Sequence, residues 1–332
     1  MKALFFDGNQ QIHIADVPTP VPKAGEALVR VLHSGVCQAE FLGHYFGAGS
    51  PNILGHEYVG CVEEIGPGVT SLCPGDTVMC NPFLYCGKCS VCRAGNTAVC
   101  PNKRQPGVRC GYAEYVAEDE RGFLKIPEDF VSKYGVLLLD VFGMMYNGMY
   151  RLGIDQNSYT AIFGLLSYGF GGVAIARRYG AQVIAFDSSP YRRQIAEELG
   201  AEITLDSRRQ DLKQVVMEIT DGEFFTEAVE CNDPEISFED MFSWTRPGGH
   251  ISIMGHTGRA FSLNPNWITL KQLTVTGTPL FEPEQLPEIV EIARACENKA
   301  SIITHEPRLE EAQAALSDYA SGKAGKVAFD LT

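Results

Sequence analysis

The stretch CGKCSVCRAGNTAVC constrains this chain more than any other. Cys86, Cys89, Cys92 and Cys100 are spaced C-x2-C-x2-C-x7-C. Two-residue gaps let a tight turn aim successive sulfurs at one centre, and four thiolates complete a tetrahedral zinc shell. Such a shell leaves no position for water, so the site staples a loop and does no chemistry of its own. An iron–sulfur cluster also takes four thiolates, and four unrelated loop thiols are the plainest alternative. The spacing favours structural zinc.

Length and composition bound the rest. A chain of 332 residues predicts two domains. A net charge of -14 argues against nucleic acid or an anionic membrane as partner, since both need a basic patch. The start, MKALFFDGNQ, has no long apolar core and meets Asp7 at once, which is unlike a secretion signal. No apolar run reaches the roughly 18 residues of a membrane span. The eleven cysteines therefore read as thiols or metal ligands in a reducing compartment, and a cytoplasmic location is expected.

The texture changes near residue 146. Before it, short alternating runs such as EALVRVLHSG and EYVGCVEEIG sit among Gly and Pro, as strands and turns do. After it, apolar runs (YTAIF, QVIAF, HISIMG, LTVTGT) alternate with helical stretches (GVAIARRYG, SPYRRQIAEELG). That is the βαβ rhythm of a doubly wound parallel sheet, an α/β fold. Beyond about residue 280 the texture is mixed again.

A second candidate centre lies upstream, in SGVCQAEFLGHYFG and ILGHEYVGCVEEIGPGV. Cys37 and His56 each stand beside a Gly-containing turn, and Glu57 follows His56. One thiolate, one imidazole and a carboxylate form a mixed shell with room for a substrate oxygen, the pattern of catalytic zinc. Taken alone, a lone Cys and a lone His are more often core residues than ligands.

The elements GVCQAE, GHEYVG, the four-cysteine loop, GYAEYV and RPGGHISIMG stand in the order and rough spacing of one family. Together they resemble the zinc-dependent medium-chain dehydrogenases/reductases, which include alcohol, polyol and threonine dehydrogenases. The resemblance covers essentially the whole chain. It implies a mostly β, barrel-like (GroES-like) catalytic domain over 1–147 and 281–332, and a Rossmann dinucleotide-binding domain over 148–280. It implies Cys37, His56 and Glu57 as the catalytic zinc set, with Glu57 either a ligand or a reserve that exchanges with water or substrate. The family's remaining ligand is a Cys or Glu at the start of the helix leading to the nucleotide domain. In YGVLLLDVFGMMYNGMYRLG that place falls on Asp140; the alternative is an Asp that caps this helix. Two zinc ions per chain and a homodimer or homotetramer are implied as well. Lys326 matches a basic residue common near the family's C-terminus, and no chemistry is assigned to it.

The chain departs from the family beside the metal. The residue two after the first ligand Cys is usually Ser or Thr, which relays the substrate proton; here it is Ala39, which neither donates nor accepts. Glu40 stands where the family usually has Asp, in support of the ligand histidine. Either water or a nearby side chain such as His44 or Tyr45 replaces the relay, or the reaction is not ordinary alcohol–carbonyl interconversion.

The dinucleotide turn, AIFGLLSYGFGG, departs too. In one register Gly164, Leu166 and Gly169 occupy the fingerprint positions, and the helix runs to a natural stop at Gly180. In the other, Gly169, Gly171 and Ala174 satisfy Gly-x-Gly-x-x-Ala but leave about two helical turns. Helix length favours the first. It puts the Leu166 side chain where backbone should approach phosphates, and two glycines, Gly171 and Gly172, inside the helix at about 1 kcal/mol each. Asp187, at the end of the next strand, is placed to bond the ribose hydroxyls and to repel a 2′-phosphate, favouring NAD(H) over NADP(H); Arg192 and Arg193 soften that preference. The expected function is hydride transfer between NAD(H) and a secondary alcohol, a polyol or the matching carbonyl, all small molecules. Two alternatives stand beside it. One is reduction of a conjugated C=C or imine, or non-redox zinc chemistry on the same scaffold. The other is a zinc-stapled protein without catalysis.

Overall fold

The computed structural model of the chain describes residues 1–38, 41, 52–103, 110–255 and 262–332. Ala39, Glu40, His44, Tyr45 and His256 lie outside the described residues. The chain divides into two compact units. One comprises Met1–Leu139, Glu282–Ala293 and Ile303–Thr332, and the other Asp140–Phe281 and Arg294–Ile302.

The first unit opens with the hairpin β1 (Lys2–Gly8) and β2 (Gln11–Asp16), with β4 (Asn52–Ile53) paired to β1. The long strand β3 (Glu26–Gly35) pairs with β5 (Glu57–Ile65), and β6 (Thr77–Cys80) and β8 (Phe123–Lys125) extend that sheet; β7 (Tyr115–Asp119) also pairs with β3. These strands are rich in Val and alternate, so one face collects Ala27, Val29, Val31, Val62, Val78, Val116 and Phe123 into a buried core.

The second unit carries β9 (Tyr159–Phe163), β10 (Gln182–Phe186), β11 (Ile203–Leu205), β12 (Phe225–Glu230), β13 (Thr245–Ile253) and β14 (Thr274–Gly277). Its order among the described residues is β11-β10-β9-β12-β13-β14, with every pair parallel. Helices cross between successive strands, as parallel pairing requires. Phe163 stacks on Phe186 at a centroid separation of 4.7 Å, and Phe225 and Trp244 close the same aromatic core. The order reverses at β9, and a ligand belongs outside the carboxyl ends of the strands at such a switch point. The chain then returns to the first unit, where β15 (Ile303–His305) and β16 (Lys326–Asp330) add to the long sheet beside β3. No helix among the described residues is long and apolar enough to cross a membrane.

Candidate functional site

The four clustered cysteines converge. Sulfur–sulfur separations are 3.4 Å for Cys89–Cys92, 3.6 Å for Cys86–Cys100, 3.9 Å for Cys89–Cys100 and 4.0 Å for Cys86–Cys92. A tetrahedron on zinc–sulfur bonds of about 2.3 Å has edges of about 3.8 Å, so the four sulfurs fit one zinc ion. The local sequence produces this geometry. Cys89 caps the short helix Ser90–Arg93, its sulfur accepting the Cys92 backbone N–H at 3.4 Å. Backbone N–H groups of Lys88 and Cys89 pull the Cys86 thiol down to about 6, into the thiolate range at neutral pH. Burial, reinforced by its neighbours' sulfurs, pushes Cys92 up to about 12, a conflict that a bound cation removes. Glu282 ties the lobe down by accepting the Thr97 backbone N–H at 2.7 Å.

The second constellation also assembles. Cys37, His56, Glu57 and Asp140 each offer one ligand atom, and these atoms lie within 4.8 Å of one another. Cys37 follows the end of β3, and Glu57 opens β5 in register with Gly35. The sheet pairing therefore brings together residues far apart in sequence. Asp140 adjoins Leu139 in a π-helical turn, Leu138–Met144, rather than capping a regular helix. Widened π turns recur at functional sites because they re-aim a side chain. Cys37, Glu57 and Asp140 are buried. Lys326 already answers one of the two carboxylates; a second buried carboxylate and a thiol beside an imidazole form a donor set that suits a metal ion of zinc type.

At the Rossmann turn, Gly164 follows β9 directly with φ +100°. The helix Tyr168–Arg178 comes next, so Gly169, Gly171 and Gly172 all lie within it. A Cβ on Gly169 would stand 1.9 Å from the Gly164 carbonyl oxygen, and one on Gly171 would stand 1.6 Å from the Val141 carbonyl oxygen. Gly171, expected to weaken the helix, is thus required for close packing. Leu166 is half-buried in the turn. Asp187 is buried at the end of β10; its Oδ2 accepts the Leu165 N–H at 2.9 Å and its Oδ1 the Ser189 N–H at 2.7 Å. Ser189, not Asp187, caps the following helix. Arg192 stands 3.8 Å from Asp187, and Arg193 donates to the Asp187 backbone carbonyl at 2.7 Å.

Comparison with known proteins agrees with this geometry. Residues 23–128 match the alcohol dehydrogenase GroES-like domain, and residues 169–295 match the zinc-binding dehydrogenase domain. The chain is 30% identical to an L-threonine 3-dehydrogenase of Pyrococcus horikoshii, over 96% of this chain and 94% of the relative. The chain belongs to the zinc-dependent medium-chain dehydrogenase/reductase family. Among solved structures, a zinc-binding dehydrogenase from Sinorhizobium meliloti 1021 bound to NADP is 27% identical, with TM-score 0.85 over 99% of this chain and 98% of that one. A structure from E. coli CFT073 with NADH, described as a short chain alcohol dehydrogenase, shares the fold at TM-score 0.89 and 24% identity, with 99% of each chain covered. This dehydrogenase is therefore an alcohol dehydrogenase-like oxidoreductase.

One residue beside the candidate site escaped assignment from sequence. Lys326, on β16, is fully buried and forms an ion pair with Glu57 Oε2. Its Nζ also donates to the Val36 carbonyl at 3.0 Å, next to Cys37. Lys326 thus holds the candidate ligand carboxylate and the chain leading into the candidate ligand thiol. The signal in the sequence was its basic character alone. The remaining cysteines, Cys61, Cys73, Cys80, Cys110, Cys231 and Cys296, join neither candidate cluster and form no disulfide. Met144, Met145 and Met149 are buried as core packing.

Proposed function

We propose that this enzyme transfers hydride between NAD(H) and a secondary alcohol, a polyol or the matching carbonyl, with two zinc ions per chain. The observation that carries the proposal is the convergence of Cys37, His56, Glu57 and Asp140 on one point. Zinc held there supplies a Lewis acid for a substrate oxygen. Cys37, His56 and Asp140 hold the ion, and Glu57 is the exchangeable member because Lys326 offers it an alternative partner. A carboxylate-rich donor set resembles the polyol and threonine dehydrogenases, so a hydroxyl-rich substrate fits best. Asp187, held by two backbone N–H groups, presents a fixed negative charge at the end of β10. That charge suits a ribose diol and opposes a 2′-phosphate. Arg192, 3.8 Å from the Asp187 carboxylate, and Arg193, bound to its backbone carbonyl, offset part of that charge and so soften the preference without reversing it. The domain boundaries we propose are those of the sequence, 1–147 with 281–332 and 148–280. A homodimer or homotetramer in the cytoplasm completes the reading; none of the eleven cysteines forms a disulfide, which fits a reducing compartment.

The second reading is reduction of a conjugated C=C or imine. It rests on Ala39 in place of the relay hydroxyl and on Leu166 at the turn. The test is a screen of alcohols, carbonyls, enones and imines with the zinc-loaded enzyme, followed at the nicotinamide absorbance. Turnover of a secondary alcohol or polyol with NAD supports the proposal. Turnover confined to enones or imines replaces it with the second reading, and no binding of either dinucleotide refutes both.

A further inference from the structure

The dinucleotide turn has a second acidic residue, on the opposite side from Asp187. In the sheet β9 lies between β10 and β12, so the segments that follow β10 and β12 flank the Gly164 turn from both sides. Asp187 ends β10, and Asp233 follows β12. The Asp233 backbone nitrogen lies 2.9 Å from where a Cβ on Gly164 would stand, and the Cys231 carbonyl oxygen 2.5 Å. The turn is thus clasped between the two acidic segments.

Asp233 is 9% exposed. Its Oδ1 accepts the Glu235 backbone N–H at 2.9 Å, which fixes the side chain. Its Oδ2 is buried without a hydrogen-bond partner among the described residues. Ser207, just beyond β11 and 3% exposed, faces this carboxyl and tempers its rise, yet its hydroxyl too has no partner at hydrogen-bond distance among the described residues. Buried polar atoms without partners are few in native proteins, and each costs free energy. Burial, reinforced by the charge of Asp187, pushes the Asp233 carboxyl up to about 6. The chain bears this cost just past the carboxyl ends of β11 and β12, where a doubly wound sheet receives its ligand.

The chemistry of the set selects the ligand group. Ionised carboxylates accept and do not donate, so Asp187 and Asp233 call for hydroxyl or amino donors and reject phosphate. The cations nearby have partners of their own: Arg192 stands 3.8 Å from Asp187, Arg193 binds the Asp187 backbone carbonyl at 2.7 Å, and Arg208 binds Asp206 at 2.8 and 3.0 Å and the Ser188 carbonyl at 2.8 Å.

We infer that Asp233, with Ser207, is a second specificity residue of the dinucleotide site: it accepts from the adenosine-side ribose and, with Asp187, excludes a 2′-phosphate. This rests on the reading of the Gly164 turn as a dinucleotide site. The test is calorimetric titration of the zinc-loaded full chain at pH 8 with NADH, NADPH and ADP-ribose, for wild type, Asp233→Asn and Ser207→Ala. Asparagine keeps the Oδ1 acceptor for Glu235, removes the charge and turns the Oδ2 acceptor into an amide donor. The inference expects Asp233→Asn to shift the NADPH-to-NADH affinity ratio toward NADPH by about tenfold. Ser207→Ala weakens ADP-ribose and NADH by a similar few-fold factor, and neither variant melts below wild type without ligand. A ratio within twofold of wild type in Asp233→Asn overturns the inference and leaves the dinucleotide reading standing. So does a change for NADH with none for ADP-ribose, which would move Asp233 away from the adenosine end. Failure of wild type to bind any of the three ligands overturns both.

Discussion

The two candidate metal constellations use cysteine in opposite ways. In the lobe around Cys92, four sulfurs spaced 3.4–4.0 Å apart come from one short stretch of chain and close a tetrahedron by themselves. Around Cys37, the donors come from the segment after β3, the start of β5 and a π turn, and they mix thiol, imidazole and carboxylate. The first arrangement is local, and a cation bound there has no vacant position. The second is built by tertiary pairing, and one of its members, Glu57, already has another partner in Lys326. A site that must admit substrate needs a donor able to give way, whereas a site that must hold a loop does not.

Substitutions separate the two. The largest structural effect belongs to the closed lobe. Cys92→Ala should remove one zinc ion and cost about 5 kcal/mol or more of stability, read by denaturant unfolding with metal analysis, because binding free energy there is folding free energy. A loss under about 1 kcal/mol would mean that the lobe holds itself together without metal. Next comes the buried pair beside the open site. Lys326→Met leaves the Glu57 carboxylate in the core without its counter-charge and should cost about 3–5 kcal/mol. Substituting Glu57→Gln in the same chain should recover part of that loss; no recovery in the double variant would show that Lys326 acts through packing alone.

Asp233 gives a smaller effect of opposite sign. Its carboxyl is raised from an ordinary 3.8 to about 6 by burial and by Asp187. A raised acid is penalised when ionised, so its own contribution to stability is greatest below pH 4, falls as pH climbs to 6 and stays reduced above it. Asp233→Asn should therefore be more stable than wild type by about 1–3 kcal/mol at pH 8, with the gain vanishing below pH 4. Thermal melting across that range measures it, and a constant difference at all pH values would exclude the carboxyl as its source. The smallest effect is expected at the turn. Leu166→Gly should tighten NADH by a few-fold, about 1 kcal/mol, if the leucine side chain holds the phosphates away from the backbone. Unchanged affinity would place the phosphates elsewhere.

How far the sequence could be read follows the same division between local and tertiary construction. The cysteine lobe was legible because spacing alone makes its geometry. The parallel sheet was legible because β9 to β14 are apolar runs at regular intervals. The second centre required the resemblance to name Asp140, since a lone Asp in an apolar helix carries no ligand signal. Lys326 was out of reach, because its partner is 269 positions away and no periodicity links them. The glycines at 171 and 172 looked like a helix weakness because the Val141 carbonyl that packs against Gly171 is invisible in sequence. Asp233 sits in CNDPE, which reads as an ordinary polar turn. Only the strand order sets it across from Asp187.

The central claim is that the mixed cluster binds a second metal ion that the cysteine lobe cannot. Elemental analysis of the purified chain and of Cys37→Ser tests it directly. The account predicts two zinc ions per wild-type chain and one in Cys37→Ser, with the remaining ion lost only when Cys92 is also replaced. One ion in the wild type, or two that survive Cys37→Ser, would contradict it.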